Sequence, residues 1–526
     1  VYACARNIAE RSAGRPAAGS ARLKHVLRLL CLLVLTACSR PPDSAIRFGL
    51  ASAPASLDPR YATDATSERI NRLLYRRLVD FDAAARPVPA LARWEQRGPT
   101  RWRFYLRRPR APFHDGTPLT AADVAATYRS MLAPGSLSPQ AGTLRVIRSI
   151  RVIDDDTLDF ELEHPDALFP GYLAIGIVPA HASAGGHPLQ REPVGSGPFR
   201  FTAWPDPGRL ILTRIADGQR FEFLRVPDPT VRTLKLLRGE LDLLQNDLPA
   251  ELVDYLGRQP GIRLLRAHGN NFAYLGFNLQ DPAMSDLRVR QAIAHAIDRA
   301  AIVKYVLGGA ARTAAALLPP EHWAGNPALQ APDYDPAAAR RLLQAAGYDR
   351  RHPLQLDYKT STDPVRVRIA TILQQQLAQV GIRMKLNSYD WGTFFGDIKA
   401  GHFQLYSLMW VGIKTPDIFR YAFYSHSLPP GGANRGHYAD AASDRLIEQA
   451  GQADSLQDQA ALYRRLQARL LEQLPCVPLW YEDHVAVLRA SVTGYRLSAD
   501  GNFDGLLRVH RVAAVAHPAG APRHPQ

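Results

Sequence analysis

Residues 365–389 carry a change of period that leaves few folds open. From 365 to 380 the apolar side chains return at helical spacing. Gly381 breaks that pattern, and Ile382, Met384 and Leu386 then alternate with Arg383, Lys385 and Asn387. A helix that hands over through one glycine to a half-buried strand is half of an α/β unit, the strand joining a sheet and the helix covering it. The same grammar recurs along the chain. Asp335-Pro336 predicts a capped helix with a first-turn proline, running through Leu342 and Leu343 to Gly347. Ser455 and Asp458 open a helix through Leu462, Leu466 and Leu470 that Pro475 stops. Asp286 caps a helix whose apolar face is Val289, Ile293, Ala296, Ile297, Ala300 and Val303, with Gly308-Gly309 ending it. Trp102, Phe104 and Leu106 alternate with Arg101, Arg103 and Arg107 as a half-buried strand. Thr120 and Asp123 form a capping box for the helix that passes through Val124, Tyr128 and Met131.

Length and composition set the scale. The chain has 526 residues, 46% hydrophobic and 21% charged, enough for two or three domains with cores of their own. Its formal net charge is +15, and residues 1–37 contribute six basic side chains (Arg6, Arg11, Arg15, Arg22, Lys24, Arg28) against Glu10. The remaining arginines are scattered rather than blocked, so the charge reads as composition. The Arg–aromatic alternation at 101–107 reads as a solvated strand face, not a nucleic-acid surface. The four cysteines, Cys4, Cys31, Cys38 and Cys476, form no CxxC and no Cys/His cluster, so no metal and no cofactor are expected.

The N-terminal stretch is an address. A basic segment ending at Arg28 meets the apolar run Leu29 to Leu35 and then small residues, the order of a secretory signal, and the run is too short to span a bilayer. Leu35-Thr36-Ala37-Cys38 resembles the bacterial lipobox, which implies lipidation of Cys38. Residues 1–37 are thus expected to be a signal segment with an over-extended start, and 38–45 a lipidated tether. One lipid anchor on a large body holds a protein at a membrane without spanning it. The tail 512–526, rich in Ala, Pro and His, is expected to be disordered.

Phe113-His114-Asp115-Gly116-Thr117-Pro118-Leu119-Thr120-Ala121-Ala122-Asp123-Val124 resembles the signature of the family 5 bacterial extracellular solute-binding proteins, the dipeptide, oligopeptide and nickel receptors of ABC importers. Further matches fall in order: Leu57-Asp58-Pro59, Pro87 to Ala92, Trp94-Glu95, Pro193 to Phe199, Gly239 to Asp242, Asp286 to Asp298, and Gln374 through Ile382. The resemblance runs from about residue 46 to 510. It implies an α/β, two-lobe periplasmic-binding-protein fold (type II, cluster C), with an extra subdomain in lobe I and a cleft that closes about a hinge. Lobe I is projected as 46–270 plus 485–511, with the subdomain near 61–188, and lobe II as 271–484. Asn270 to Tyr274 falls on one hinge crossing and Glu482 to His484 near the other.

The resemblance implies a periplasmic or otherwise extracytoplasmic, lipid-anchored monomer. Such a protein captures a peptide or peptide-like solute and serves the permease and ATPase subunits of an importer, without enzymatic activity. Ligand-binding residues are expected at Trp410, Trp391, Asp417, Asn434, Arg435 and Tyr274. Trp410 follows the strand-like run 403–409 and Trp391 follows another strand. Large aromatics at such ends suit a ligand wall. The donors of Asn434-Arg435-Gly436-His437-Tyr438 suit a carboxylate; Arg366 and Arg368 are read instead as the exposed face of a helix. Peptide receptors of the family carry an aspartate three residues after the second tryptophan, where it pairs with the peptide's α-ammonium. Here that position is Ile413, and an isoleucine cannot balance a buried ammonium. Asp417, four residues on, is the substitute to be tested.

Two other functions stay open at this stage. An exported hydrolase lacks its motifs, because Gly195-Ser196-Gly197 runs into Pro198 rather than a nucleophile-elbow helix, and His114-Asp115 sits in a turn. A sensor or chaperone lipoprotein without a transporter needs only the same fold.

Overall fold

The computed structural model describes residues 45–512 apart from Gly185 and Asp454. The signal segment, Cys38, nearly all of the tether and residues 513–526 of the tail lie outside the described residues. The backbone of the molecule is an eleven-stranded sheet. Its strands lie in the order Arg383–Tyr389, Gln355–Ser361, Leu405–Trp410, Ile262–Phe277, Cys476–Arg489, Leu243–Gln245, Ile46–Leu50, Arg220–Arg225, Arg209–Arg214 and Phe199–Asp206, with Ala311–Thr313 also paired to Cys476–Arg489.

Two long strands at the middle join the halves. Ile262–Phe277 and Cys476–Arg489 pair antiparallel over both ends, Ile262 to Ala267 against Arg489 to His484 and Asn271 to Gly276 against Glu482 to Cys476, with the register interrupted between Ala267 and Asn271. Each strand therefore serves two cores. Val477, Leu479 and Trp480 pack with Val289, Ile293, Leu356, Leu373 and Leu405, whereas Ala486 and Leu488 pack with Phe48, Phe199, Phe221 and Leu243. A two-strand connection with a register break bends more easily than either packed core.

A four-stranded antiparallel sheet, Ala92–Gln96, Arg101–Leu106, Thr157–Leu162 and Ile147–Asp154, backs a third core of Phe104, Tyr128, Phe160 and Phe169. Trp102, Phe104 and Leu106 point into it, as their alternation predicts. The arginines of the other face are matched by the neighbouring strand: Arg103 pairs with Asp159 at 2.6 Å and Arg101 with Glu161 at 3.1 Å.

The family-like motif is a clasp. Thr120 donates its amide to the Asp123 carboxylate at 2.8 Å to start the helix Ala121–Leu132. Asp115 accepts from the Thr117 amide at 2.9 Å in the turn, and His114 Nε2 meets the Gly197 carbonyl at 3.0 Å. The end of the helix Ala65–Leu74 presses on that second segment: a Cβ on Gly195 falls 1.9 Å from the Leu74 carbonyl oxygen, so only glycine fits. Ser196 is buried, with Arg76 Nε bound to its carbonyl at 2.9 Å. These residues have structural work and not the exposure of a nucleophile.

Helices Pro336–Ala345, Pro364–Gln379 and Leu456–Gln473 lie where their caps and stops predict. The helix opened by Asp286 is different. It ends at Ala296, and a second, Arg299–Tyr305, begins after Asp298, whose side chain accepts from the Ala301 amide at 2.9 Å. Asp298 acts as an N-cap, which requires a non-helical backbone at the break. Among the described residues, no helix is long and apolar enough to cross a membrane.

Candidate ligand-binding site

The strands Ile262–Phe277 and Leu405–Trp410 pair antiparallel with Phe272 opposite Trp410, Tyr274 opposite Leu408 and Gly276 opposite Tyr406. Period two therefore puts Phe272, Tyr274, Tyr406 and Trp410 on one face. The missing side chain of Gly276 makes room for the Tyr406 ring, since a Cβ there comes 2.4 Å from it. Tyr274 stacks on Phe272 (5.9 Å between centroids, 10°) and on Trp410 (6.4 Å, 14°), and Tyr406 meets Tyr274 edge-on.

Arg435 lies across this wall. Its guanidinium carbon is 5.2 Å from the Trp410 ring centroid and 5.4 Å from that of Phe395, and Nη1 donates to the Tyr274 hydroxyl at 3.1 Å. Phe395 comes from the helix Trp391–Ala400, which Asp390 caps through the Thr393 amide at 3.1 Å. Trp391, one turn earlier, stacks on Phe395 at 5.4 Å and 6° and is 59% exposed. Trp391, Phe395, Arg435, Trp410, Tyr274 and Phe272 thus form one continuous ladder. Burial works against the Arg435 charge, yet the nearby Tyr274 and Tyr406 oxygens outweigh it and raise its pKa. Among the described residues Arg435 forms no ion pair. The space left beside Tyr274, Trp410 and Arg435 is about 30 Å³, room for a water or a group of its size.

Of the residues expected to bind ligand, Trp391, Trp410, Tyr274 and Arg435 come together in the ladder, Asn434 lines the same space beside Tyr274, Trp410 and Arg435, and Asp417 lies off it. Asn434 also holds its own loop. It is 1% exposed, donates to the Tyr424 and Tyr438 carbonyls at 3.1 and 2.7 Å, and accepts from the Tyr438 amide at 2.8 Å. It fixes the loop that presents Arg435. Asp417 accepts a hydrogen bond from the Thr415 hydroxyl beside Asp166. Burial, reinforced by Asp166, pushes its carboxyl up to about 6 despite that hydrogen bond. The reading of Arg366 and Arg368 as merely exposed is incomplete, because Arg366 pairs with Glu482 at 3.0 Å and Arg368 with Glu251.

The segment 411–417 runs from this wall to the opposite half. Asn270 Nδ2 donates to the Ile413 carbonyl at 3.1 Å, and His322 Nε2 lies 2.9 Å from the Lys414 carbonyl oxygen. Lys414 Nζ then reaches Asp500 at 2.9 Å and lies 5.4 Å from the Phe81 ring centroid. Phe395, Tyr406 and Lys414 were not singled out in the sequence. Only Tyr406 left a signal there, as the alternate position two strand pairs before Trp410. Cys476 lines the same pocket, and burial pushes its thiol up to about 12, which disfavours the thiolate. Among the described residues no group of three His, Cys, Asp or Glu side chains is placed to hold a metal. A concavity of about 1720 Å³ along the edge strand Arg383–Tyr389 shares no residue with the ladder.

Two α/β halves joined by paired strands, with an aromatic wall on one of those strands, define a two-lobe solute receptor of the periplasmic-binding-protein type. Comparison narrows the class. A family model described as bacterial extracellular solute-binding proteins, family 5 middle, matches residues 86–429, and the chain belongs to that family. It is 27% identical over 509 residues to the dipeptide-binding protein of Escherichia coli K12, covering 89% of this chain and 94% of that one. It is 28% identical over 496 residues to a probable deoxycholate-binding periplasmic protein of the same organism, covering 87% and 91%. Among solved structures, the periplasmic binding protein DppA of Helicobacter pylori in complex with the peptide STSA superposes with a TM-score of 0.75 at 25% identity, covering 89% and 98%. Members of this family are substrate-binding transport components that work outside the cytoplasm.

Proposed function

We propose that this protein captures a peptide or peptide-like solute between its lobes and delivers it to the permease of an ABC importer, whose ATPase subunit powers uptake. Lobe I is taken as 46–270 plus 485–511, with the subdomain at 61–188, and lobe II as 271–484. A lipid on Cys38 holds a monomer at the membrane face, and the protein turns over no substrate. The observation that carries the reading is the ladder from Trp391 through Arg435 to Phe272, built where the strand Ile262–Phe277 leaves the hinge. Stacked rings offer broad apolar contact, and one placed cation orients a guest, which is how small-solute sites are built.

The relatives' names cover ligands as different as a dipeptide and deoxycholate, so family membership leaves the ligand open. The reading is tested by native mass spectrometry of the protein as purified, followed by calorimetry with the ligand identified. A retained peptide or peptide-like acid released on unfolding supports it. A protein that retains nothing and gives no heat with a dipeptide and tripeptide library overturns it. Hydrolysis of those peptides overturns the non-enzymatic part alone.

A further inference from the structure

Hydrogen-bonding partners fix the tautomer of His484, a residue 1% exposed on the long strand Cys476–Arg489. The Val485 amide can only donate, and it meets Asn246 Oδ1 at 3.0 Å, which turns Asn246 Nδ2 toward the ring. That nitrogen lies 3.0 Å from His484 Nδ1, and an amide nitrogen donates without accepting. Nδ1 is therefore the acceptor, and the proton of the neutral ring sits on Nε2, 3.0 Å from the Ala499 carbonyl oxygen. A second proton on Nδ1 sets N–H against N–H. Turning the Asn246 amide over only moves the conflict to Val485.

The ring has little room to escape. A Cβ on Gly501 falls 2.7 Å from its Cε1, and one on Gly269 falls 3.1 Å from its Nε2. Gly269 lies within the register break between Ala267 and Asn271, and His484 pairs with Ala267 at the edge of that break. His484 thus sits where the two long strands part. The carbonyl it holds belongs to Ala499, next to Asp500, whose carboxylate meets Lys414 Nζ at 2.9 Å. Gln245 Nε2 steadies the same loop through the Gly501 carbonyl at 2.7 Å.

The charged groups facing His484 are Arg69 from the helix Ala65–Leu74, Asp500 from the loop and Asp483 from its own strand. Asp483 also meets His268 at 3.3 Å and Arg312 at 3.9 Å. Burial lowers the pKa of His484 and Arg69 adds to that, against the Ala499 hydrogen bond, Asp500 and Asp483.

We propose that His484 is a proton-sensitive pin of the closed arrangement: on taking up a proton it releases the Ala499–Asp500 loop, and with it the bridge to Lys414, so that acid opens the cleft. This rests on the two-lobe reading above. The sign follows from linkage. A ring freed by opening titrates near its ordinary 6.5, whereas the pinned ring titrates lower. Closure is fully favoured above pH 6.5 and loses ground as the pH falls from there through the lowered value. Asp500 stays ionised in that range, because Lys414 and Arg72 outweigh the burial that raises it, so the bridge does not fail by its own titration.

The test follows the ligand-free protein by small-angle scattering from about pH 8 to about pH 5, with NMR of the histidine ring signals in parallel. The wild-type radius of gyration is expected to stay constant above about pH 7 and to rise below 6.5. His484→Gln, which takes up no proton, is expected to show no rise, while Asp417→Asn keeps it. The ring signal missing from His484→Gln identifies His484. Its midpoint is expected below 6.5 in the wild type and shifted back toward 6.5 in Lys414→Ala, where the halves part more readily. Thermal melting checks the fold of each variant, and if His484→Gln does not fold, the wild-type and Lys414→Ala titrations decide. A flat wild-type radius, a rise that survives in His484→Gln, or a midpoint that Lys414→Ala leaves unmoved overturns the inference and leaves the receptor reading standing. A radius that neither pH, nor Lys414→Ala, nor a dipeptide and tripeptide library changes overturns the two-lobe reading as well.

Discussion

Lys414 Nζ sits 2.9 Å from Asp500, and that contact joins the segment following Trp410 to the opposite half of the molecule. Its partners include the Phe81 ring, and Lys414 also lowers Glu68, whose carboxyl burial otherwise raises. Asp500 is held well below the ordinary carboxylate range: burial raises it, but Lys414 and then Arg72 more than offset that. The lysine is thus a latch set one residue past Ile413.

Lys414→Ala removes the latch without touching the ladder. Partly buried pairs of this kind contribute about 1 kcal/mol, so the closed arrangement loses that much relative to an open one. Small-angle scattering of the ligand-free variant is expected to show a larger radius of gyration than the wild type. Ligand affinity should fall by about fivefold, since closure then takes more of the binding energy. Identical scattering from both proteins removes the latch from the account.

Trp410→Ala deletes the central rung, opening the faces of both Arg435 and Tyr274. Ligand affinity is expected to drop by about 10–100-fold with the fold intact, because Trp410 is only partly buried and its strand is held on both sides. The quench of tryptophan fluorescence on ligand addition should shrink with it. Unchanged affinity moves the pocket away from this wall.

Asp417 gives a pH signature. Its carboxyl rises from 3.8 to about 6, through burial first and Asp166 second, with the Thr415 hydroxyl opposing; Asp417 in turn pushes up the Tyr172 and Tyr463 hydroxyls, and Arg420 and His164 act on Asp166. The folded state therefore favours the neutral acid. Below about pH 4 the group is protonated folded or unfolded and costs nothing. Between pH 4 and 6 its contribution becomes steadily more unfavourable, and above 6 the full cost of about 3 kcal/mol is present. Denaturant unfolding of Asp417→Asn should match the wild type at pH 4 and exceed it by an amount growing toward that figure at pH 7.5. A constant difference across this range contradicts the assignment.

What was legible in the sequence was local. Gly381 separates helix from strand because two periods meet there, and Asp335 and Ser455 announce their helices with side chains that bond the first turn. The break at Ile297 was hidden, since Ala300 and Val303 keep the helical spacing and Asp298 suits a surface as well as a cap. The loop hydrogen bonds of Asn434 do not show in the sequence, because an amide suits a ligand or a loop equally well there. The ladder itself was out of reach. Tyr274 and Arg435 are 161 residues apart and meet through the pairing of Phe272 with Trp410, a register that no local pattern states.

Ile413→Asp places a carboxylate on the segment just past Trp410. The position follows Trp410 by three residues and is partly buried against the apolar cluster that also holds Trp410 and Ile418. An aspartate there puts a charge where an apolar side chain packs, so the variant should be less stable than wild type by about 1–3 kcal/mol at neutral pH. A ligand ammonium gives that charge a partner. Free-amine Phe-Leu is then expected to bind the variant about tenfold or more tighter than it binds the wild type, and acetyl-Phe-Leu to bind more weakly. Gain for one ligand with loss for the other cannot come from general destabilisation, which lowers both. Calorimetry with the two probes decides it, and a variant that loses affinity for both places the ligand's amino end somewhere other than beside residue 413.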